Sequence, residues 1–218
     1  TAGIVITASH NPPEYNGYKV YWEDGGQVVP PQDKEIIREV SKIQDITQIK
    51  KMNFDEAIAH GIILLVGDEI IESYAQKLSQ VRFKSDELSP IHIVYTPLHG
   101  TGYRIVPQIL KTSGFPNVHI VEQQAIPDGN FPTVKSPNPE EPEALTQAIE
   151  LAQQINADIV LATDPDADRM GVAFKDDNGQ YILINGNQIG SMLLYYILLR
   201  LQQLNRLPKN GFVVKTIV

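Results

Sequence analysis

The sequence contains no cysteine, no long apolar run and no excess of basic residues. The absence of cysteine from 218 residues excludes a secreted module built on disulfides and favours a reducing compartment, so we expect a cytoplasmic protein. The longest apolar stretches, such as 62–66 and 192–199, are far shorter than the roughly 20 residues of a membrane-spanning helix, so no membrane partner is expected. The net charge of −8 disfavours nucleic acid as a partner.

The remaining composition is that of an ordinary globular protein. Hydrophobic residues make up 42% of the chain and charged residues 20%, enough to build a sizeable core without disulfides or a structural metal. The length suggests one large domain or two modest ones. The sequence begins with Thr1 and not with Met, which leads us to expect that it is part of a longer chain.

The apolar pattern predicts an α/β fold. Strands are predicted at 3–8, 18–22, 91–95, 118–121, 158–162, 170–174, 181–184 and 212–218, and helices at 31–43, 68–81, 102–113, 143–155 and 187–204. The alternation from residue 91 onward favours mixed, mostly parallel sheets with helices on their faces. The Pro-, Asn- and Gly-rich segment 125–142 is a long loop, and loops of this length are usually functional or mobile.

Three aspartates directly follow the strand predicted at 158–162. Asp164, Asp166 and Asp168 alternate along the chain, and alternate residues of an extended chain face the same side. A slight curl at the strand end, aided by Pro165, would therefore bring the three carboxylates together. Three hard oxygen donors suit Mg²⁺ or Ca²⁺, and Arg169 adds a cation suited to a phosphate oxygen.

Three other interpretations of this motif are possible in principle. An EF-hand loop starting at Asp164 fails, because Arg169 and Lys175 stand where Gly and Glu are needed. A solvated acidic turn stays open, as does a phosphatase with an aspartate nucleophile, which would also place Asp-x-Asp after a strand.

Ser9 follows the first predicted strand in the segment Thr-Ala-Ser-His-Asn. The segment lacks the glycines of the Gly-x-Ser-x-Gly elbow, which disfavours acyl transfer. On its own, Ser-His-Asn-Pro is better explained by a turn than by an active site. A serine able to carry a phosphoryl group, a carboxylate metal site and the cations Lys19 and Arg169 together indicate phosphoryl transfer.

Two long motifs resemble those of the α-D-phosphohexomutases, the family of phosphoglucomutase and phosphomannomutase. Residues 3–12, GIVITASHNP, resemble the family's phosphoserine loop, and residues 164–169, DPDADR, resemble its metal-binding loop. Shorter segments resemble further family segments in the same order: NGYK at 16–19, TPLHGTG at 96–102 and PNPE at 137–140. The resemblance covers essentially the whole chain.

The resemblance implies a mutase that works through a phosphoserine. Ser9 would carry the phosphoryl group in the resting enzyme and give it to a hydroxyl of a sugar monophosphate substrate. The resulting bisphosphate would reorient and return its other phosphoryl group to Ser9. A phosphoserine oxygen with Asp164, Asp166 and Asp168 would hold Mg²⁺, and glucose 1,6-bisphosphate would be the activator and phosphoryl donor.

The resemblance also assigns roles to four further residues. Lys19 matches the family's proposed general base, although a solvent-facing strand lysine is the alternative. Arg169 would contact the phosphoryl group. His10 would shape the loop or assist proton transfer, and a purely structural role is equally open. His99, with Gly100, is expected to pack beneath the site.

The family has four domains around a cleft, and the sequence matches only part of them. We expect residues 1–66 to be the end of domain I, 67–178 to be domain II and 179–218 to be the start of domain III, so that this chain alone is inactive. Asp-Pro-Asp in the metal loop favours the phosphoglucomutase or phosphopentomutase branch over the phosphomannomutases. A non-catalytic module that binds metal or sugar phosphate is the alternative from another class. The sequence predicts no oligomeric state.

Overall fold

The computed structural model describes residues 1–83 and 89–215. The strands are β1 (Gly3–Thr7), β2 (Gly17–Tyr21), β3 (Ile93–Thr96), β4 (Val118–Ile120), β5 (Ile159–Thr163), β6 (Met170–Lys175) and β7 (Tyr181–Ile184). The helices are α1 (Gln32–Val40), α2 (Phe54–Ala59), α3 (Asp68–Val81), α4 (Gly102–Thr112), α5 (Glu122–Ala125), α6 (Thr146–Ile155) and α7 (Gly186–Gln203). Short 3₁₀ turns occupy Pro13–Tyr15, Ile46–Gln48 and Pro142–Leu145. None of the helices in the described part is both long and apolar enough to cross a bilayer.

The chain forms two compact units. The first consists of Thr1–Ala8 and Glu14–Leu78, and the second of Ser9–Pro13 and Ser79–Val218. In the first unit, β1 and β2 pair antiparallel with Gly3 opposite Tyr21. The apolar side chains of Ile4, Val5 and Ile6 in β1 are exposed.

The second unit is built on a five-stranded sheet of order β4-β3-β5-β6-β7. Strand β3 pairs parallel with β4 and β5, whereas β6 pairs antiparallel with β5 and β7. The mixed α/β class is thus confirmed, with a smaller parallel share than the alternation predicted. The reason is the connection Asp164–Arg169, which is too short for the crossover that a parallel neighbour requires.

The core of the second unit lies between α6 and the sheet. Ala148 and Ala152 of α6 are fully buried against Val94 and Val160. Small side chains on this face let the helix approach the strands closely, and the burial of apolar area supplies the stabilisation.

Some predicted elements differ from the observed ones. Residues 212–215 form no strand, and residues 216–218 of the predicted strand lie outside the described residues. Helix α2 was not predicted, although Asn53 Oδ1 caps it by accepting from the N–H groups of Asp55 and Glu56. The domain boundary predicted after residue 178 falls in the turn between β6 and β7, so the sheet continues across it. The division into three domains stays a prediction.

Candidate functional site

The loop after β5 is a tight turn organised by Asp164. Its backbone carbonyl accepts from the N–H of Ala167 at 3.0 Å. Its Oδ1 accepts from the N–H groups of Asp168 at 3.1 Å and Arg169 at 3.0 Å. Ala167 has φ 58°, which places it in the left-handed region. The side chain of Asp164 therefore closes the turn that reverses the chain into β6.

This turn brings the three predicted carboxylates together. One carboxylate oxygen from each of Asp164, Asp166 and Asp168 lies within 4.8 Å of the others. Asp164 is fully buried, Asp166 is half-buried and Asp168 is exposed. The convergence arises from the hydrogen-bonded turn and not from the slightly curled extended chain that the spacing suggested.

The environment of the cluster suits a divalent cation. Burial raises the pKa of Asp164 to about 6; the N–H of Arg169 opposes this shift, and the neighbouring carboxyls of Asp166 and Asp168 add to it. Like charges in one site disfavour ionisation unless a cation is present. Three clustered carboxylates are the hard oxygen donors that Mg²⁺ prefers, so these residues fit Mg²⁺.

Ser9 lies against this cluster. Its Oγ donates to Asp164 Oδ2 at 3.1 Å, and the Nδ1 of His10 lies 3.2 Å from the same Oγ. Ser9 has φ 54°, a left-handed conformation that is uncommon for serine and is enriched at functional sites. The structure thus places Ser9, His10 and the three aspartates at one site.

Neighbouring loops hold both halves of this site. The backbone carbonyl of Pro165, in the loop that carries the three aspartates, accepts two hydrogen bonds from Thr101. The N–H of Thr101 donates at 2.8 Å and the Oγ1 of Thr101 donates at 3.0 Å. A Cβ on Gly100 would lie 2.3 Å from Pro165 Cα, so only glycine allows this approach. Ser136 Oγ donates to the carbonyl of His10 at 3.3 Å, which ties the serine loop to the segment after β4.

A buried polar network anchors that long segment. The Nδ1 of His99 lies 3.2 Å from the carbonyl of Ile126, so it donates, and its Nε2 lies 2.9 Å from Thr133 Oγ1. Thr133 in turn accepts from Gln124 Nε2 at 3.0 Å, and Gln124 Oε1 accepts from Thr96 Oγ1 at 2.7 Å. His99 is therefore a buried residue that holds this segment in place, whereas Gln124 and Thr133 carried no signal in the sequence.

The two predicted cations are placed differently. Arg169 follows the carboxylates, its backbone closes the turn and its side chain is exposed. Lys19 belongs to the first unit, where it is half-buried on β2 opposite Val5. The roles assigned to both side chains stay predictions.

Two family models match the chain. Residues 72–179 match the phosphoglucomutase/phosphomannomutase α/β/α domain II, and residues 1–47 match domain I of the same family. Both motifs of the site lie inside these matches.

Curated relatives carry the two family names. The chain is 40% identical over 200 residues to the "Probable phosphomannomutase" of Haemophilus influenzae, covering 90% of this chain and 40% of that protein. It is also 40% identical over 222 residues to the phosphoglucomutase of Staphylococcus aureus MRSA252, covering 100% of this chain and 38% of that protein. The chain thus spans about two fifths of these relatives' length.

Solved structures share the fold. A phosphoglucomutase/phosphomannomutase family protein from Burkholderia thailandensis superimposes with a TM-score of 0.61 at 23% identity, over 93% of this chain and 38% of that one. The N-acetylphosphoglucosamine mutase of Aspergillus fumigatus, solved with GlcNAc-6P and magnesium, gives 0.56 at 15% identity, over 95% and 50%. With both domain models matched in order, this chain belongs to the phosphoglucomutase/phosphomannomutase family.

Proposed function

We propose that this chain provides the phosphoserine and the metal-binding half-site of a phosphohexomutase that interconverts hexose 1-phosphate and hexose 6-phosphate. The observation that carries the proposal is the 3.1 Å contact between Ser9 Oγ and Asp164 Oδ2 within the three-carboxylate cluster. A residue that carries a phosphoryl group needs a hydroxyl beside a site that can bind a divalent cation. The names of the relatives support the family of the reaction, and Ser9 as its carrier is our assignment.

Asp164, Asp166 and Asp168 would hold Mg²⁺ together with an oxygen of phosphorylated Ser9. When bound, Mg²⁺ would neutralise the negative charge that develops on the transferring phosphoryl group. The buried position of Asp164 gives the cluster a fixed donor, and its exposed member Asp168 leaves the cluster accessible. The Aspergillus mutase was solved with magnesium, which supports this assignment by analogy of fold.

The chemistry at Ser9 balances as two transfers. In the first, the bond between Ser9 Oγ and phosphorus breaks while a sugar hydroxyl oxygen bonds to phosphorus, and the hydroxyl proton passes to a base. Ser9 Oγ takes up a proton as it leaves phosphorus. In the second transfer, Ser9 Oγ gives up that proton and bonds to the other phosphorus of the bisphosphate. The bond between that phosphorus and the sugar oxygen breaks, and the freed sugar oxygen takes up a proton. Glucose 1,6-bisphosphate is the proposed donor that loads Ser9 at the start.

The side chains around Ser9 receive supporting roles in this proposal. His10 Nδ1, 3.2 Å from Oγ, orients the serine and shapes its loop. The exposed guanidinium of Arg169 would contact the phosphoryl oxygens, since its fork geometry matches them. Lys19 is proposed as the general base for the sugar hydroxyl.

The substrate is a sugar phosphate, and glucose phosphate is the leading proposal. Pro165 in the metal loop favours the phosphoglucomutase branch, with phosphopentomutase or phosphomannomutase as alternatives. The two relatives compared are equally identical to this chain, so they do not separate glucose from mannose. A cytoplasmic location belongs to the same proposal.

The test is to follow phosphate onto Ser9. The purified protein is incubated with glucose 1,6-bisphosphate and Mg²⁺, and its intact mass and fragment peptides are measured together with free phosphate. We expect one phosphoryl group on Ser9, none after the Ser9→Ala substitution and an unchanged result after Ser191→Ala, which alters an exposed serine on α7.

Two results would contradict the proposal. Release of free phosphate with Ser9 unmodified would indicate the aspartate-nucleophile phosphatase. Binding of the bisphosphate without any transfer would indicate a module that binds sugar phosphate without chemistry.

A further inference from the structure

Three arginines of the second unit line one cavity. Its volume is about 480 Å³, within the range of small-molecule sites, and Ser79, Gln80 and Phe83 line it beside Arg82, Arg200 and Arg206. The sequence contains six arginines, so half of them meet here, and no carboxylate lines the cavity within 1–83 and 89–215. In a chain of net charge −8, this is a local concentration of positive charge among the described residues.

Arg200 is held in position and lacks one partner. Its guanidinium carbon lies 5.9 Å from the centroid of the Phe83 ring, and its Nη1 donates to Gln203 Oε1 at 2.8 Å. Tyr196 packs edge-on against Phe83 at 5.7 Å. The buried Nε of Arg200 has no hydrogen-bond partner in the described part of the chain. A buried charged donor without an acceptor is costly, so an incoming acceptor would be favoured.

The other two arginines add positive charge at the rim. Arg82 Nη1 donates to the carbonyl of Thr112 at 3.1 Å, and a guanidinium with five N–H donors has further donors to offer after that bond. Arg206 is exposed, and its backbone N–H donates to the carbonyl of Leu201 at 2.8 Å, which fixes it at the end of α7. A positive charge near a helix C-terminus is favourable by itself. That effect does not explain why three arginine side chains line the same cavity.

The cavity is remote from the aspartate cluster. Strand β5 ends at Thr163, just before the aspartate cluster. Thr101, at the start of α4, bonds to Pro165 of that cluster's loop, whereas the carbonyl of Thr112, at the end of α4, accepts from Arg82 of the cavity. The 18 residues of α7 span about 27 Å, and the cavity lies at its far end. The arginines therefore belong to a separate site.

We propose that this cavity binds a small organic phosphate with two adjacent phosphoryl groups. Arginine forks bind phosphate oxygens by paired hydrogen bonds. One phosphoryl group carries a charge of only about −1.5 to −2 at neutral pH, which leaves one of three guanidinium groups unmatched. Two adjacent groups match all three and supply an acceptor for Arg200 Nε. Phe83 is already covered by Arg200, so recognition rests on the phosphates and not on stacking of a base.

Calorimetric titration with inorganic pyrophosphate tests this site in buffer free of divalent metal. We expect one binding site, and about tenfold weaker binding for each of Arg82→Gln and Arg206→Gln, since each removes a charge-assisted contact. The double variant should show no binding. Arg200→Lys should also weaken binding, because an ammonium cannot form the paired contact.

Matched controls separate this cavity from general charge. Lys209→Gln and Arg38→Gln each remove one positive charge outside the cavity lining and should leave the affinity within about twofold of the parent value. Arg169→Gln reports on binding beside Ser9 and should also leave it unchanged. The proposal is overturned if pyrophosphate does not bind, if Lys209→Gln weakens binding as much as Arg206→Gln, or if Arg169→Gln abolishes binding. Far-ultraviolet circular dichroism verifies that each variant is folded.

Discussion

At the scale of single residues, Tyr95 is a buried titratable group directly beneath the metal loop. Its hydroxyl shares a 2.8 Å hydrogen bond with Thr163 Oγ1, on the residue that precedes Asp164. Burial raises the pKa of Tyr95 to about 12, and the hydrogen bond to Thr163 opposes that shift. The folded protein therefore favours the neutral phenol.

This shift predicts a loss of stability in alkali. The neutral phenol contributes stability that is fully present below the unfolded pKa of 10.0 and is lost as the pH rises through the folded value of about 12. Between about pH 8 and about pH 11, we expect the free energy of unfolding to fall by about 1 to 1.5 kcal/mol more in the parent protein than in Tyr95→Phe. Urea denaturation at both pH values measures it.

The control is a tyrosine that is not buried. Tyr195 on α7 is 70% exposed, so Tyr195→Phe should follow the pH dependence of the parent protein. At neutral pH, Tyr95→Phe should itself cost about 1 kcal/mol, because Thr163 loses its partner. Identical alkaline losses in the parent and in Tyr95→Phe would show that Tyr95 does not titrate with a raised pKa.

Site residues could be predicted from the sequence where the residues that form the site lie close together along the chain. Asp164, Asp166 and Asp168 follow a strand at close spacing, and the structure brings them within reach of one ion. Gln124 and Thr133 could not be found this way. Their partners are Thr96 and His99, 28 and 34 residues earlier in the chain, so no local pattern marks them.

At the scale of elements, the metal loop depends on the turn between β3 and α4. The backbone of Gly100 lies against Pro165, and Thr101 donates twice to the Pro165 carbonyl. The expected role of glycine at this strand-to-helix turn, close backbone approach, is what the geometry shows. These contacts hold together the turn at Gly100 and the loop at Pro165, which are far apart in the sequence.

Gly100→Ala should therefore destabilise the second unit. Its Cβ would lie 2.3 Å from Pro165 Cα, and backbone cannot move aside as a side chain can. We expect a loss of at least about 1 to 3 kcal/mol in the free energy of unfolding, measured by urea denaturation. Gly129→Ala is the matched control, because a Cβ there meets nothing within 4 Å. Equal stability of the two variants would mean that the turn and the metal loop are not in contact.

Helices and strands could be predicted from the sequence where the apolar periodicity is strong. They were less predictable where the pairing between strands decides whether a strand forms and in which direction it runs. Helix α3 has the predicted bounds, since its apolar face repeats over four turns. Residues 212–215 have the composition of a strand but form none, because a strand needs a hydrogen-bonded neighbour as well as propensity. The antiparallel direction of β6 was available in the sequence: six residues between β5 and β6 cannot form a parallel crossover.

At the scale of the whole molecule, the core is distributed unevenly between the two units. Among the residues described, Ala57 is the one buried hydrophobic residue of the first unit, and all the others belong to the second. Strand β3 is buried along its whole length, whereas β1 is exposed at four of its five residues. Since apolar burial is the main stabilising contribution, the two units should differ in stability.

Native-state hydrogen exchange should reveal this difference within one molecule. Amides of β1 and β2 are hydrogen-bonded in a ladder just as those of β3 and β5 are, so pairing alone predicts similar protection. Local opening costs least where few apolar contacts are broken, so we expect β1 and β2 to exchange at least about tenfold faster than β3 and β5. The two ladders serve as controls for each other, since both are measured in the same sample. Equal protection of both would mean that the units open together as one cooperative body, and that burial within each unit does not set its stability.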